Sequence, residues 1–368
     1  MDKLLEKVYK SVCKTPSRLF VSNEQIRSKI LSVCKCERNK APIRYILSAL
    51  LAKCSDPKID TRQPYLGEKS FPRSFPGRTI DVKYVQGFVH KYQLPCNDTT
   101  AYLSPAFRTL ETAIKKSTFE KCRPVYVYND MMDILDYVEE RPKEAYNILC
   151  QMLAALIQVK HETETRMSQL IESLSANKEH ILSSEEITKL LRQHLDCKGS
   201  SRLPVLMIAA AYQAVQHMTK ETYRSLLAHN AADSQTGATG DIEITLQSDD
   251  CTVTCYEMKK KKVAKDDIYV CVDKISKLQQ KPNNYIFITT EQIDEDVKEL
   301  AASFYGKHGV EIAVLDCLGF INHFLHFFHR YRTDFLNHYQ QLVLDEPTSA
   351  VSQPLKEAFL SLRRVAEL

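Results

Sequence analysis

The sequence has no tryptophan, only 9 glycines in 368 residues, and no apolar run approaching the ~20 residues that a membrane-spanning helix needs. Neither GxGxxG nor GxxxxGK[ST] occurs, so dinucleotide-binding and P-loop folds have no support. The opening residues, MDKLLEKVYK, lack the apolar core of a secretory leader. The twelve cysteines show no paired metal-ligand spacing. Cys34-x-Cys36 and Cys251-x3-Cys255 each lack the second pair that a zinc ribbon requires. In a chain of this size, without an export signal, they are expected to be reduced cytosolic thiols.

What is present describes a globular protein. Hydrophobic residues make up 44% and charged residues 26% of the chain, enough for a sizeable core, and the length suggests two domains or three. Net charge is +4, but residues 1–124 hold 24 Lys and Arg against 11 Asp and Glu, and the remainder holds 26 against 35. A basic third joined to an acidic remainder points to a polyanionic partner met mainly by the N-terminal part. The alternative is a basic solvated face with no ligand.

Apolar residues at helical spacing (Leu4, Leu5, Val8 and Val12, then Ile43 to Leu51) predict helices within residues 1–55. Four prolines between Pro57 and Pro76 exclude a long helix there. Residues 77–110 are aromatic and basic, and helical patterns dominate from Met131 to about Leu195. Ser183-x-x-Glu186 reads as a capping box. After residue 200 the pattern changes to an apolar helix from Pro204 toward Leu227, strands at 241–247 and 251–259, a helix at about 265–280, a strand at 284–290, a helix at about 294–305 and a strand at 310–316. The order α-β-β-α-β-α-β implies a mixed α+β core with a mixed central sheet flanked by helices. A long helix at about 317–342 and an amphipathic tail follow. The domain reading is a mainly helical, basic region at 1–200, an α/β domain at 201–345 and a helical tail at 346–368.

Asp241 opens the first strand of the hairpin, and Glu257-Met258-Lys259 closes the second. Side chains two apart on a strand share a face, so Glu257 and Lys259 point the same way, and Asp241 lies beside them if it faces that side. Glu243 would share its face. Two carboxylates would repel without a cation between them, and hard oxygen ligands suit Mg²⁺, which polarises a phosphoryl oxygen. An ammonium beside it would offset charge developing in the transition state. The competing reading is a hairpin with solvated charged ends.

Asp241 followed by Glu257-x-Lys259, with a helix before and a helix and strand after, resembles the PD-(D/E)xK nuclease superfamily. Gly240 stands where that family usually has proline. Two longer blocks, residues 77–108 (GRTID through SPAFR) and 236–263 (TGATGDIEITL through EMKKKKV), resemble the SacI-type restriction endonucleases. The resemblance implies a PD-(D/E)xK core and an Mg²⁺-dependent type II enzyme. Such an enzyme would cut both strands of a short, palindromic DNA site as a homodimer, beside a methyltransferase protecting host DNA in a prokaryotic cytoplasm. It implies Asp241 and Glu257 as metal ligands, with the Met258 carbonyl as a further one, and Lys259 as the catalytic lysine; Glu243, by its shared face alone, is a further candidate ligand. A structure-specific or repair nuclease of this fold, or a non-catalytic DNA-binding scaffold, remain open.

Sequence reading would need polar donors elsewhere. Gln235, Thr236 and Thr239 precede the hairpin, and Arg73, Arg78, Lys83, Lys91, Asn97 and Arg108 lie in the basic third; all nine are candidates for phosphate or base contact. His323, His326 and His329 are spaced at three but lack the carboxylate or cysteine partners of a zinc site.

Overall fold

The computed structural model describes residues 1–15, 18–65, 73–108, 110, 113–175, 181–224, 226 and 239–368. The chain divides into two compact units, Met1–Arg166 and Met167–Leu368. The fold is mixed α+β, mostly helical, with one five-stranded mixed sheet among the described residues.

The first unit is helical. Helix α1 (Asp2–Lys14) buries Leu5, Val8 and Val12, and α2 (Glu24–Lys35) starts at Asn23, whose side chain accepts from the Ile26 amide. Helix α3 (Ala41–Ser55) is apolar nearly all round and accordingly buried along most of its length. Its two buried cations are paired: Arg44 with Asp81 at 3.0 Å and Lys53 with Glu139 at 2.9 Å. Asp81 opens a π turn, Asp81–Val85, between α4 (Gly77–Ile80) and α5 (Gln86–Lys91). Helices α6 (Val125–Glu140) and α7 (Ala145–Ser175) follow, and the division between the units falls within α7.

The second unit holds α8 (Ser184–Leu195), capped by the expected Ser183–Glu186 box, and α9 (Leu203–Thr219). The helix expected to reach toward Leu227 ends at Thr219. Lys220 takes a left-handed conformation, and Glu221–Tyr223 form an unforeseen strand, β1, paired with β2 (Ile242–Leu246). Inter-strand pairing replaces the further helical turns. Strand β3 (Asp249–Lys259) completes an antiparallel set, and β4 (Asn284–Thr289) and β5 (Glu311–Asp316) add parallel to it in the order β1-β2-β3-β4-β5. The parallel steps need crossovers, supplied by α10 (Lys265–Ser276) and α11 (Glu295–Ser303). After the short α12 (Tyr305–His308), the long helix expected at 317–342 is two helices, α13 (Cys317–Phe327) and α14 (Arg332–Asp345), separated by a 3₁₀ turn at His329–Tyr331. Helix α15 (Gln353–Glu367) is the amphipathic tail.

Strand alternation sorts side chains between the two faces of this sheet. Ile242, Ile244, Tyr256 and Ile288 join one core with α9, α13, α14 and α15, and Cys255, Tyr285, Phe287, Ile312 and Val314 join another with α10 and α11.

Candidate active site

The β2–β3 register pairs Ile242 with Tyr256 and Glu243 with Cys255, so one step further Asp241 stands opposite Glu257. Asp241, Glu257 and Lys259 therefore share the face that carries Cys255 and Tyr285, at the carboxyl end of β3. Asp241 Oδ2 accepts the Met258 amide at 2.7 Å, tying the first carboxylate to the peptide between Glu257 and Lys259. The Met258 side chain packs into the core on the opposite face.

Gly240 makes this approach possible. A Cβ there would lie 2.6 Å from the Tyr256 carbonyl oxygen, so neither alanine nor the proline usual in the resembling family fits without moving the strand.

Lys259 Nζ donates to Glu257 Oε1 at 3.0 Å and lies 3.7 Å from Asp267 Oδ1 near the start of α10. Both members of the Lys259–Glu257 pair are part-buried, with side chains 23% and 20% exposed. Burial pulls the Lys259 pKa down, but Glu257, then Asp267 and Asp241, outweigh it and hold the pKa above its usual value. At neutral pH Lys259 is thus an ammonium, suited to stabilising negative charge and unsuited to accepting a proton. The second oxygen of Glu257 is approached by the Tyr285 hydroxyl at 3.3 Å, which also lies 3.1 Å from the Thr239 carbonyl. Burial, followed by the charge of Glu257, raises the Tyr285 pKa and keeps the hydroxyl protonated.

Glu243 shares the face, but its carboxylate is engaged locally. Oε1 accepts the Thr239 amide at 2.6 Å, and Oε2 pairs with Arg224 Nη1 at 3.1 Å. Among the described residues, no group of three His, Cys, Asp or Glu could hold a metal ion. Asp241 and Glu257 nevertheless offer the two carboxylates, all hard oxygen, through which Mg²⁺ is commonly held while keeping water or phosphate in its other positions. The donor chemistry fits that ion.

The other candidates are dispersed. Gln235 and Thr236 lie outside the described residues. Thr239 is buried, with its amide and carbonyl used internally. Arg73 pairs with Glu139 at 3.1 Å, and Lys91 with Glu6 at 2.7 Å. The Asn97 carbonyl accepts from Arg44 at 2.9 Å. Lys83 lies over the Tyr84 ring, and Arg78 and Arg108 are exposed. Much of the 77–108 block is interior: Gly77, Ile80, Asp81, Thr100, Tyr102 and Phe107 are buried, with Thr100 and the Ala101 amide donating to Asp81.

Sequence reasoning missed Arg224, Asp267 and Tyr285. Asp267 carried a legible signal, an acid three residues after Ala264 at a helix start, where its Oδ2 accepts the Ala264 amide at 3.0 Å. The other two reach the site through long-range strand pairing.

No protein-family model matches the chain, and no curated protein matches it.

Proposed function

We propose that the protein is a metal-dependent nuclease hydrolysing DNA phosphodiesters at the Asp241–Glu257–Lys259 cluster. The observation that carries this reading is the convergence of two carboxylates and an ammonium on one strand-end face, tied by the Asp241–Met258 contact. Asp241 and Glu257, with the Met258 carbonyl, would hold Mg²⁺, which supplies Lewis acidity at a phosphoryl oxygen. Lys259, kept protonated by its carboxylate neighbours, offsets the negative charge that builds on the phosphoryl oxygens in the transition state. Tyr285 orients Glu257 from behind, and Asp267 holds Lys259 on its other side.

The finer form of the proposal is a type II restriction endonuclease: a prokaryotic cytoplasmic homodimer cutting both strands of a short palindromic site. It would leave 5′-phosphate and 3′-hydroxyl ends and be paired with a protecting methyltransferase. It rests on the family resemblance of the two sequence blocks. One observation favours a second reading, a structure-specific or repair nuclease on the same core. Part of the 77–108 block, including Gly77, Ile80, Asp81, Thr100, Tyr102 and Phe107, is committed to the interior around Asp81, which leaves fewer of its side chains for reading bases.

The test is incubation with unmethylated phage DNA, with Mg²⁺ or with EDTA, beside Lys259→Ala. Discrete Mg²⁺-dependent fragments that vanish in the variant are the expected result. A smear lost in the same variant replaces the restriction reading with the second one. Binding without cleavage on several unmethylated DNAs would sink the enzyme reading and leave a DNA-binding scaffold.

A further inference from the structure

The first unit, residues 1–166, carries 28 Lys and Arg against 19 Asp and Glu, and the second carries 22 against 27. Within the first unit the positive charge has a geometric focus that the sequence candidates did not include. Lys3, Lys7, Lys10 and Lys14 follow one another on α1 at steps of four, three and four residues. At 3.6 residues per turn these positions fall within an arc of about 60°, and they run ~16 Å along the helix. The arc lies opposite Leu5, Val8 and Val12, which are buried, so packing of the apolar face turns all four lysines to solvent. None of the four makes an ion pair among the described residues. The nearest acid on the flank, Glu6, is already taken by Lys91 at 2.7 Å and by the Tyr92 hydroxyl at 2.6 Å. Lys10 feels the charge of Glu6, but no carboxylate stands in ion-pair contact with any of the four lysines among the described residues, so the row stays net positive.

The geometry points to the α1 lysine row as a docking surface for the phosphate backbone of double-stranded DNA, binding without regard to sequence. The proposal rests on the nuclease reading for its choice of polyanion and adds to it a surface remote in sequence from the Asp241 cluster. Charge complementarity selects the occupant. Duplex DNA presents a phosphate every ~3.4 Å along each strand, a spacing that a row of flexible lysines ~4.5–6 Å apart can track. A lipid surface is the poorer match, because an interfacial helix must offer an apolar face to the bilayer, and that of α1 is occupied by the core.

The test is equilibrium binding of the full chain to short labelled duplexes of several sequences, in EDTA, across a potassium chloride titration. Lys7→Glu/Lys10→Glu is compared with Lys7→Arg/Lys10→Arg, with far-ultraviolet circular dichroism confirming the fold of each. The charge-reversed variant should bind every duplex more weakly, with the slope of log affinity against log salt reduced by about 1.8, from ~0.9 per phosphate contact. The arginine variant should match the parent. Steep parental binding with an unchanged slope in the reversed variant would overturn the α1 assignment while leaving the nuclease reading standing. A reduced slope in the charge-reversed variant, with a parent that never cleaves in Mg²⁺, would do the reverse. Parental binding to phosphatidylserine vesicles instead of duplex, or to neither, would also overturn the assignment.

Discussion

Asp241 and Met258 meet across the β2–β3 hairpin, with Asp241 Oδ2 accepting the Met258 amide at 2.7 Å. A side chain at the start of one strand is thereby fixed to the main chain between Glu257 and Lys259. Its closeness depends on the bare α-carbon of Gly240.

Gly240→Ala should lower stability by about 1–3 kcal/mol, because the new methyl must displace the Tyr256 carbonyl. DNA cleavage should fall further than the stability loss explains, since Asp241 is the next residue. Denaturant melts and cleavage assays below the melting transition separate the two effects. An unchanged melt would show that the strand yields freely.

Tyr285→Phe removes the hydroxyl that approaches both Glu257 and the Thr239 carbonyl. Stability should drop by about 1 kcal/mol, the usual net worth of a buried hydrogen bond. Mg²⁺-dependent cleavage should decline by about tenfold, less than for Lys259→Ala, for which we expect roughly 10²–10³. Equal losses in the two variants would place Tyr285 in the chemistry instead of behind it.

Arg44 and Asp81 form an ion pair with both side chains fully buried. Burial raises the Asp81 pKa even with Arg44 alongside, so desolvation outweighs the pairing. Arg44→Met should cost about 3–5 kcal/mol by leaving the buried Asp81 without a countercharge, its remaining partners being the Thr100 hydroxyl and the Ala101 amide. Combined with Asp81→Asn it should cost clearly less than the two single losses together. Additive losses in denaturant titrations would mean that the pair is not coupled.

His194 is buried between the Tyr339 hydroxyl at 2.9 Å and the Leu355 carbonyl at 3.0 Å, and burial depresses its pKa to about 4. Unfolded, it titrates near 6.5. Between these values the unfolded chain binds the extra proton, so the histidine's contribution is complete above about pH 6.5 and lost as pH falls toward 4. The whole effect is about 3 kcal/mol. Denaturation midpoints at pH 7 and pH 5 should fall more steeply for the parent than for His194→Gln; parallel slopes would show that His194 is not the titrating group.

Local periodicity made part of this protein legible. The alternation of TCYEMK places Glu257 and Lys259 on one face, because strand side chains repeat every two residues, whereas only the β2–β3 register sets Asp241 opposite Glu257. The apolar spacing of α1 was equally plain. The sequence also determined the charge excess of the N-terminal part.

Only the tertiary structure decided which of those charges are spent. Arg44 finds Asp81 across 37 positions, Arg73 finds Glu139 across 66 and Lys91 finds Glu6 across 85. The basic, aromatic 77–108 block consequently turns part of its length inward, while the α1 lysines stay outward and form no ion pair among the described residues. Arg224 reaches Glu243 from beside β1, and Tyr285 reaches Glu257 from β4, both by strand pairing that no local pattern encodes. Periodicity fixes the face on which a side chain lies, but its charge is neutralised by whatever long-range packing brings opposite it.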